Sequence, residues 1–452
     1  MPSTKPIELD GSTLEGGGQL VRVALSLSAI TGIPVLISNI RANRAPQGRS
    51  KFSGGGSRGQ GRDSRSSKPE GGLKESHLGA LHWLAKQCNA YVEGGEVGSR
   101  EVLFVPGAGF STKSRKKGRN GAEELVDFEK NVIELRNPGS AWLILQAILP
   151  FLIFGKSVAE AANGQDEMVE LTLRGGTNVS KSMSGEYVQH VLLPILSRIG
   201  LPDIDVEVRK RGWAGNASAI GEVVLRMPRS PASGFALPAF EVIQRGEVEK
   251  IYIKIVAGEN PVENLRIQLT NTIAEHFGNE LPVEVLEVED SGDARRLYVL
   301  LVAHTSNGWR LGRDFLGSGK NPKNPSEEQK IVGNACQTVV RDLKNEVKRG
   351  GCVDEFMQDQ LVIFQALAQG RSCVDGGQDG VETVEDDEEC GDDAGSLHTR
   401  TVRWVCEKML RKVKEDVKFQ PDGLCQGVGW NEKGPVNAVI NPVRELKVED
   451  QI

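Results

Sequence analysis

The order strand, helix, strand, helix, strand, strand is written twice in the first half of the chain, and that repetition restricts the fold more than any other feature. In the first pass "PIEL" is a short apolar strand, "GGQLVRVALSLSAI" spaces its apolar residues as a helix does, and "PVLISNI" is a β-branched run. "SHLGALHWLAKQCNA" then sets Leu78, Leu81, Ala85 and Cys88 on one face, with Ser76 as the expected N-cap. "AYVEG" and "REVLFVPG" close the unit as strands. The second pass covers residues 131–227, from "VIEL" through "GSAWLILQAILPFL", "MVELTLRGG" and "GEYVQHVLLPILSRIG" to "DIDVEVRK" and "GEVVLRM". Two passes of βαβαββ predict an α/β (α+β) fold of repeated units, and they argue against one doubly wound sheet.

A further strand–helix–strand–strand run over residues 240–320 predicts a small inserted α/β domain, which leaves residues 1–239 and 321–452 as the main domain. Beyond it the chain turns helical. Ser326 is the expected cap of a helix that carries Ile331, Ala335, Val339, Leu343 and Val347 in register and ends at Gly350 and Gly351. "EFMQDQLVIFQALAQG" and "HTRTVRWVCEKMLRKV" supply two more helices.

Three stretches break this order. Residues 47–70 are rich in Gly, Ser and Arg, and residues 375–393 carry ten acids without Lys or Arg, so both are expected to be disordered. Residues 113–119, "KSRKKGR", form a basic cluster that reads either as a nuclear import signal or as a solvated loop. These blocks make the net charge of -6 a poor guide to partners. The seven cysteines show no CxxC spacing, which argues against a metal–thiolate site and for reduced thiols inside a cell. The longest apolar run, "AWLILQAILPFLIFG", is too short to span a bilayer and contains Gln146 and Pro150, so no membrane partner is expected.

The residues suited to chemistry lie at the two ends of the chain. "LDGSTLEGGGQLVR" sets Glu15, a metal-type ligand, against three glycines and then Arg22. A glycine turn entering a helix offers N–H groups to an anion, although "EGGGQ" matches neither dinucleotide nor P-loop spacing and a tight turn is the plainer reading. "IRANR" adds Arg41 and Arg44, whose planar forks suit phosphate oxygens. Far along the chain, "DEFMQDQLVIF" places Asp359 and Gln360 early in a helix, and "SLHTRTVRW" starts another with His398. The other five histidines read as caps or solvated side chains.

Together these segments resemble the RNA 3′-terminal phosphate cyclases. The matching stretches are "LDGSTLEGGGQLVR", "IRANR", "GLKESHL", "PGSAWLILQ", "LRGGTN", "GCVDEFMQDQLVIFQALAQG", "LHTRTVRW" and "CQGVG", in order over nearly the whole chain. The resemblance implies repeated βαβαββ units with a small inserted domain. It implies an enzyme that uses ATP and a divalent metal, Mg2+ or Mn2+, to convert an RNA 3′-phosphate into a 2′,3′-cyclic phosphodiester, releasing AMP and diphosphate. By the same resemblance His398 is the nucleophile that becomes adenylated and Glu15 helps hold the metal. Arg22, Arg41 and Arg44 would bind the RNA phosphate, while Gln146, Tyr187, Phe356, Asp359 and Gln360 line the ATP site.

Departures accompany the match. Ser76 stands for a glutamine and Met183 for a proline expected against the adenine; Phe356 occupies a place where tyrosine is common. "RGWAGNASAIGEV" replaces a shorter glycine loop. One alternative is a non-catalytic cyclase-like protein of pre-ribosomal RNA processing, a class that lacks the nucleophilic histidine. Another is a small-molecule transferase of related architecture, which the "LHTRT" block does not fit.

Overall fold

A computed structural model describes residues 5–42, 71–113, 125–156, 168–214, 219–229, 234–378, 395–431 and 434–435. The stretch 47–70, residues 379–393 of the acidic run, residues 114–119 of the basic cluster and Arg44 lie outside the described residues.

The two predicted passes fold into two sheets that share a four-strand order. In the first unit β1 (Ile7–Asp10) runs through α1 (Gly18–Thr31) to β2 (Val35–Ser38). Then α2 (Glu75–Gln87) leads to β3 (Tyr91–Glu93) and β4 (Val102–Val105), with β5 (Ser111–Lys113) beside β3. The spatial order is β1-β2-β4-β3-β5; the first pair is parallel, as a helical crossover requires, and β4 runs antiparallel to both its neighbours. The second unit starts from β6 (Val126–Asp127) and β7 (Val132–Glu134), crosses through α3 (Ala141–Phe154) to β8 (Met168–Gly175), and continues into α4 (Gly185–Tyr187). A π-helical turn at Val188–Leu192 and α5 (Leu193–Arg198) carry it on to β9 (Asp205–Lys210) and β10 (Gly221–Pro228). Its four strands β7-β8-β10-β9 repeat the order β1-β2-β4-β3 of the first, with β6 added antiparallel at the β7 edge.

The structure adds a third pass. After β11 (Glu241–Val242) the chain builds the inserted sheet from β12 (Val248–Ala257), α6 (Val262–Phe277), β13 (Val283–Asp290), β14 (Leu297–Thr305) and β15 (Arg310–Leu316). The helix α7 (Pro325–Arg349) follows, and then α8 (Glu355–Leu367), β16 (Arg371–Val374), α9 (Leu397–Leu410) and β17 (Leu424–Gln426). β11 pairs parallel with β16, β16 antiparallel with β17, and a Phe419–Cys425 bridge stands where the third strand of the other units lies. The insertion thus interrupts this unit after its first strand. Strands this short carry almost no period-two signal, which is why the sequence shows only helices here.

Two expected caps move. α2 is capped by Lys74, not Ser76, because the His77 Nδ1 accepts the Lys74 backbone N–H at 3.1 Å and fixes the first turn there. α7 is capped by Asn324, whose side chain accepts from Glu327 N, and Pro325 at the first helical position needs no donor; Ser326 is already inside the helix. The C-terminal reading holds, since Gly350 takes the left-handed conformation with φ 82°.

α1 packs on α2, α3 and α9, while α8 packs on α3 and α9. One hydrophobic cluster joins these helices to all three repeat sheets. A second lies between the inserted sheet and the pair α6 and α7, built from Ile251, Ile253, Ile255, Leu265, Leu269, Val339 and Leu343. β14 faces both clusters: Val299 and Leu301 enter the second, Tyr298, Leu300 and Val302 the first. No helix of the described residues is long and apolar enough to cross a membrane.

Candidate active site

The helix starts of all three units converge at one place. Leu14 and Gly16 both take positive φ between β1 and α1, and Gly17 ends the turn as an extended N-cap without a side-chain bond. The turn folds the Glu15 side chain back over the start of α1, where the helix dipole favours negative charge. A Cβ on Gly17 would lie 2.1 Å from Glu15 Oε1, and one on Gly18 would lie 2.4 Å from His77 Nε2 and 3.0 Å from Arg22 Nη1. The glycines therefore make room for the protein's own carboxylate, imidazole and guanidinium.

The backbone N–H of Glu15 donates to Thr401 Oγ1 at 3.2 Å, and that hydroxyl donates to Leu397 O, tying the turn to the first coil of α9. Ser396 caps α9 by accepting from Thr399 N, which presents His398 at the second helical position. His398 Nδ1 lies 2.9 Å from Gln19 Oε1 and 3.4 Å from Glu15 Oε2. A carboxylate only accepts, so Nδ1 carries the proton and the neutral ring keeps its lone pair on Nε2. The side chain is 50% exposed, against 10% for Glu15, so the free nitrogen belongs to an accessible ring with a fixed tautomer.

From His398 a chain of side chains runs inward. Gln19 also donates to Asp359, which is buried and takes a second N–H from Gln360. Gln146 Nε2, held by Ser140-capped α3, donates to Gln360 Oε1 at 2.8 Å. The chain ends at Gln146 Oε1, an acceptor that is buried and has no hydrogen-bond partner among the described residues. Leaving such an acceptor unmet costs about 1–3 kcal/mol, so the position favours a donor group from a ligand.

The charges in this cluster shift one another. The Glu15 hydrogen bond raises the His398 pKa above its ordinary 6.5; burial and the Arg22 charge oppose it, and Asp359 adds to it. Burial pushes Asp359 up to about 6, against the pull of Gln19, His398, Gln360 and Arg22. Arg22 is itself buried. Among the described residues no cluster of three or more His, Cys, Asp or Glu side chains is gathered for a metal. Glu15 is the carboxylate beside His398, while Asp359 is taken up by Gln19 and Gln360; one such carboxylate suits a magnesium-type ion that takes its other ligands from phosphates and water.

Of the remaining predicted residues, Phe356 and Tyr187 lie at α8. Phe356, Asp359 and Gln360 share one face of α8 by their three- and four-residue spacing, and Phe356 is 46% exposed. Tyr187 is buried beneath it at 6.4 Å between ring centroids, its hydroxyl donating 2.6 Å to Asp354 Oδ1. Asp354 in turn caps α8 by accepting from Phe356 N and Met357 N. Tyr187 is thus placed as an anchor under the platform. Arg41 lies past the end of β2 with φ 56°, its Nη1 donating to Gly72 O at 3.1 Å. Sequence reasoning missed Gln19 and His77. Gln19 stands four residues after Glu15 and three before Arg22, the one face of α1 that could have revealed it.

Gly17→Ala separates site from fold. Its φ of -102° is open to alanine and the atom it meets ends a flexible side chain, so the loss of stability should stay near the ~1 kcal/mol that alanine costs at an N-cap. The Glu15 carboxylate must swing away from His398, and any activity that depends on that pair should drop about tenfold or more. Thermal unfolding and an activity assay on one preparation check both halves.

The chain matches the RNA 3′-terminal phosphate cyclase family over residues 13–53 and 62–415. The RNA 3′-terminal phosphate cyclase of Pyrococcus furiosus is 32% identical over 441 residues, covering 96% of this chain and 98% of that one. The protein of the same name from Methanopyrus kandleri is 30% identical over 89% of this chain and 93% of its own length. The one from Drosophila melanogaster is 28% identical over 96% and 99%.

Proposed function

We propose that this chain, which belongs to the RNA 3′-terminal phosphate cyclase family, converts RNA 3′-phosphate ends to 2′,3′-cyclic phosphodiesters through a covalent AMP on His398. The observation that carries the reading is the His398 imidazole. It is half-exposed, its proton is held on Nδ1 by Gln19 and Glu15, and it stands where Arg22 and the start of α1 supply positive charge.

In the first step Nε2 attacks the α-phosphorus of ATP. An N–P bond forms, the P–O bond to the β-phosphate breaks, and diphosphate leaves. In the second, an oxygen of the RNA 3′-phosphate takes the AMP and frees the histidine. In the third, the neighbouring 2′-hydroxyl attacks the activated 3′-phosphorus and AMP departs; such intramolecular attack reaches effective molarities of about 10⁵–10⁸ M. Arg22 and the N–H groups at the start of α1 offset the phosphate charge that develops. Glu15 would hold a divalent cation, which when bound neutralises further phosphate charge. Gln146 Oε1 offers an acceptor to a nucleotide donor group, and Phe356 a ring face to the base.

The deciding experiment gives the protein ATP, a divalent cation and an oligoribonucleotide with a labelled 3′-phosphate. A product whose label resists phosphatase and yields a 2′,3′-cyclic nucleotide on digestion supports the proposal. A label that stays phosphatase-sensitive under all these conditions opposes it. A nuclear role in RNA processing is part of the same proposal, motivated by the basic run 113–119, of which Lys113 alone falls among the described residues.

The pH dependence has a defined sign. His398 attacks only as neutral imidazole, and in the metal-free protein its pKa is raised by Glu15, so there the ring should take up its proton as pH drops through a midpoint above 6.5. Glu15→Gln removes the charge that stabilises imidazolium and should move that midpoint down. An NMR titration of the His398 ring in the metal-free protein reads this directly.

A further inference from the structure

The inserted sheet reaches the nucleotide site through one side chain. Arg313, on β15, places its guanidinium carbon 4.4 Å from the centroid of the Phe356 ring. The same guanidinium is ion-paired to Glu346 of α7, and its Nη2 lies 3.2 Å from Glu355 Oε2. Glu346, itself buried, is held from its other oxygen by Arg349 Nη1 at 2.9 Å. Arg313 is therefore clamped on its acidic side while its plane covers the phenyl ring. Tyr187 closes the ring's neighbourhood edge-on, with an interplanar angle of 78°. Phe356 nonetheless stays 46% exposed, on the α8 face it shares with Asp359 and Gln360.

We propose that Arg313 is a positioning residue for ATP: it holds the Phe356 ring from behind as a pre-set stacking surface for the purine base. This deepens the function proposed above and rests on it. The physical argument is one of ordering. A phenyl side chain free to rotate in solvent loses rotamer entropy when a base stacks on it, whereas a ring already fixed by a guanidinium on one side does not. The cation–π contact supplies the hold, and the ion pairs to Glu346 and Glu355 keep the guanidinium from following solvent instead. Nothing in this arrangement touches the reacting phosphates. The expected signature is a change in ATP affinity with little change in the chemical step.

Arg313→Ala alone would leave the buried Glu346 with Arg349 as its one remaining ion-pair partner and a cavity beside it, a change that destabilises the junction on its own account. The informative variant is Arg313→Met with Glu346→Gln, which removes both charges and keeps the volume. In the full chain this pair should raise the KM for ATP about tenfold in the self-adenylation reaction, with kcat at saturating ATP within about threefold. Arg313→Lys keeps the charge for Glu346 but loses the planar group, and should give an intermediate KM. Inorganic triphosphate, used as a competitor that lacks the base, should bind the wild type and the double variant equally. A role through Phe356 also requires that the rise in KM vanish when the double variant is made on a Phe356→Ala background, since that platform is already gone.

An unchanged KM in both Arg313 variants overturns the inference, and so does a rise that persists undiminished on the Phe356→Ala background. If the wild-type protein forms no adenylate at all, the proposed function fails. If the wild type forms it, Phe356→Ala raises KM and the Arg313 variants do not, the positioning role alone fails.

Discussion

His398→Ala is expected to abolish transfer of labelled AMP from ATP to the protein, by about 10⁴-fold or more, and to leave the fold in place. The size follows from the chemistry: without Nε2 no atom of the site carries an available lone pair aligned by two partners. Gln19 and Asp359 are buried and bonded to each other, and the Glu15 carboxylate is directed at the lost imidazole. The fold survives because the ring is half-exposed and contributes only its contact to Gln19 and Glu15, while α9 is started by Ser396 and anchored by Val402, Val405 and Met409 in the core. Loss of such a surface side chain costs about 0.5 kcal/mol or less. Circular dichroism and label incorporation on one preparation test both statements.

Arg22→Ala should be the next most damaging change, lowering the adenylation rate by about 10²–10³-fold, the usual scale for removing one donor from a charge-stabilising site. It carries a second signature that separates it from general damage. Arg22 opposes protonation of both His398 and Asp359, so its removal should move the His398 titration midpoint of the metal-free protein upward. Glu15→Gln moves that midpoint the other way. Opposite shifts from two neighbouring residues follow from their charges and would not arise from loosened packing. Arg22→Lys, which keeps the charge without the planar fork, should recover the midpoint more fully than the rate.

Residue type and position single out Glu15 and Arg22 around a glycine turn, Asp359 and Gln360 early in one helix and His398 at the start of another, while the part each plays at the candidate site is what the resemblance implies. Gln19 and His77 did not stand out. A glutamine is an ordinary helix former, and a histidine in the first turn reads as a cap, which His77 Nδ1 indeed is; its other nitrogen, over Gly18, is invisible to spacing. The aromatic at 187 was picked out, but its burial under Phe356 depends on the cap at Asp354 and the approach of Gly312 N to Asp354 Oδ2, a contact spanning 42 residues. Pattern also could not show that the late helices complete a third unit, since β11, β16 and β17 contribute two, four and three residues.

The central claim, that an imidazole near the chain's end is the covalent carrier of AMP, is met most directly by mapping the modified residue. The protein is incubated with α-labelled ATP and a divalent cation, denatured in base, digested, and the labelled peptide fragmented in a mass spectrometer. An acid-labile, base-stable AMP on His398 is the predicted result. AMP on any other residue, or none on the protein while cyclised RNA still forms, would contradict it.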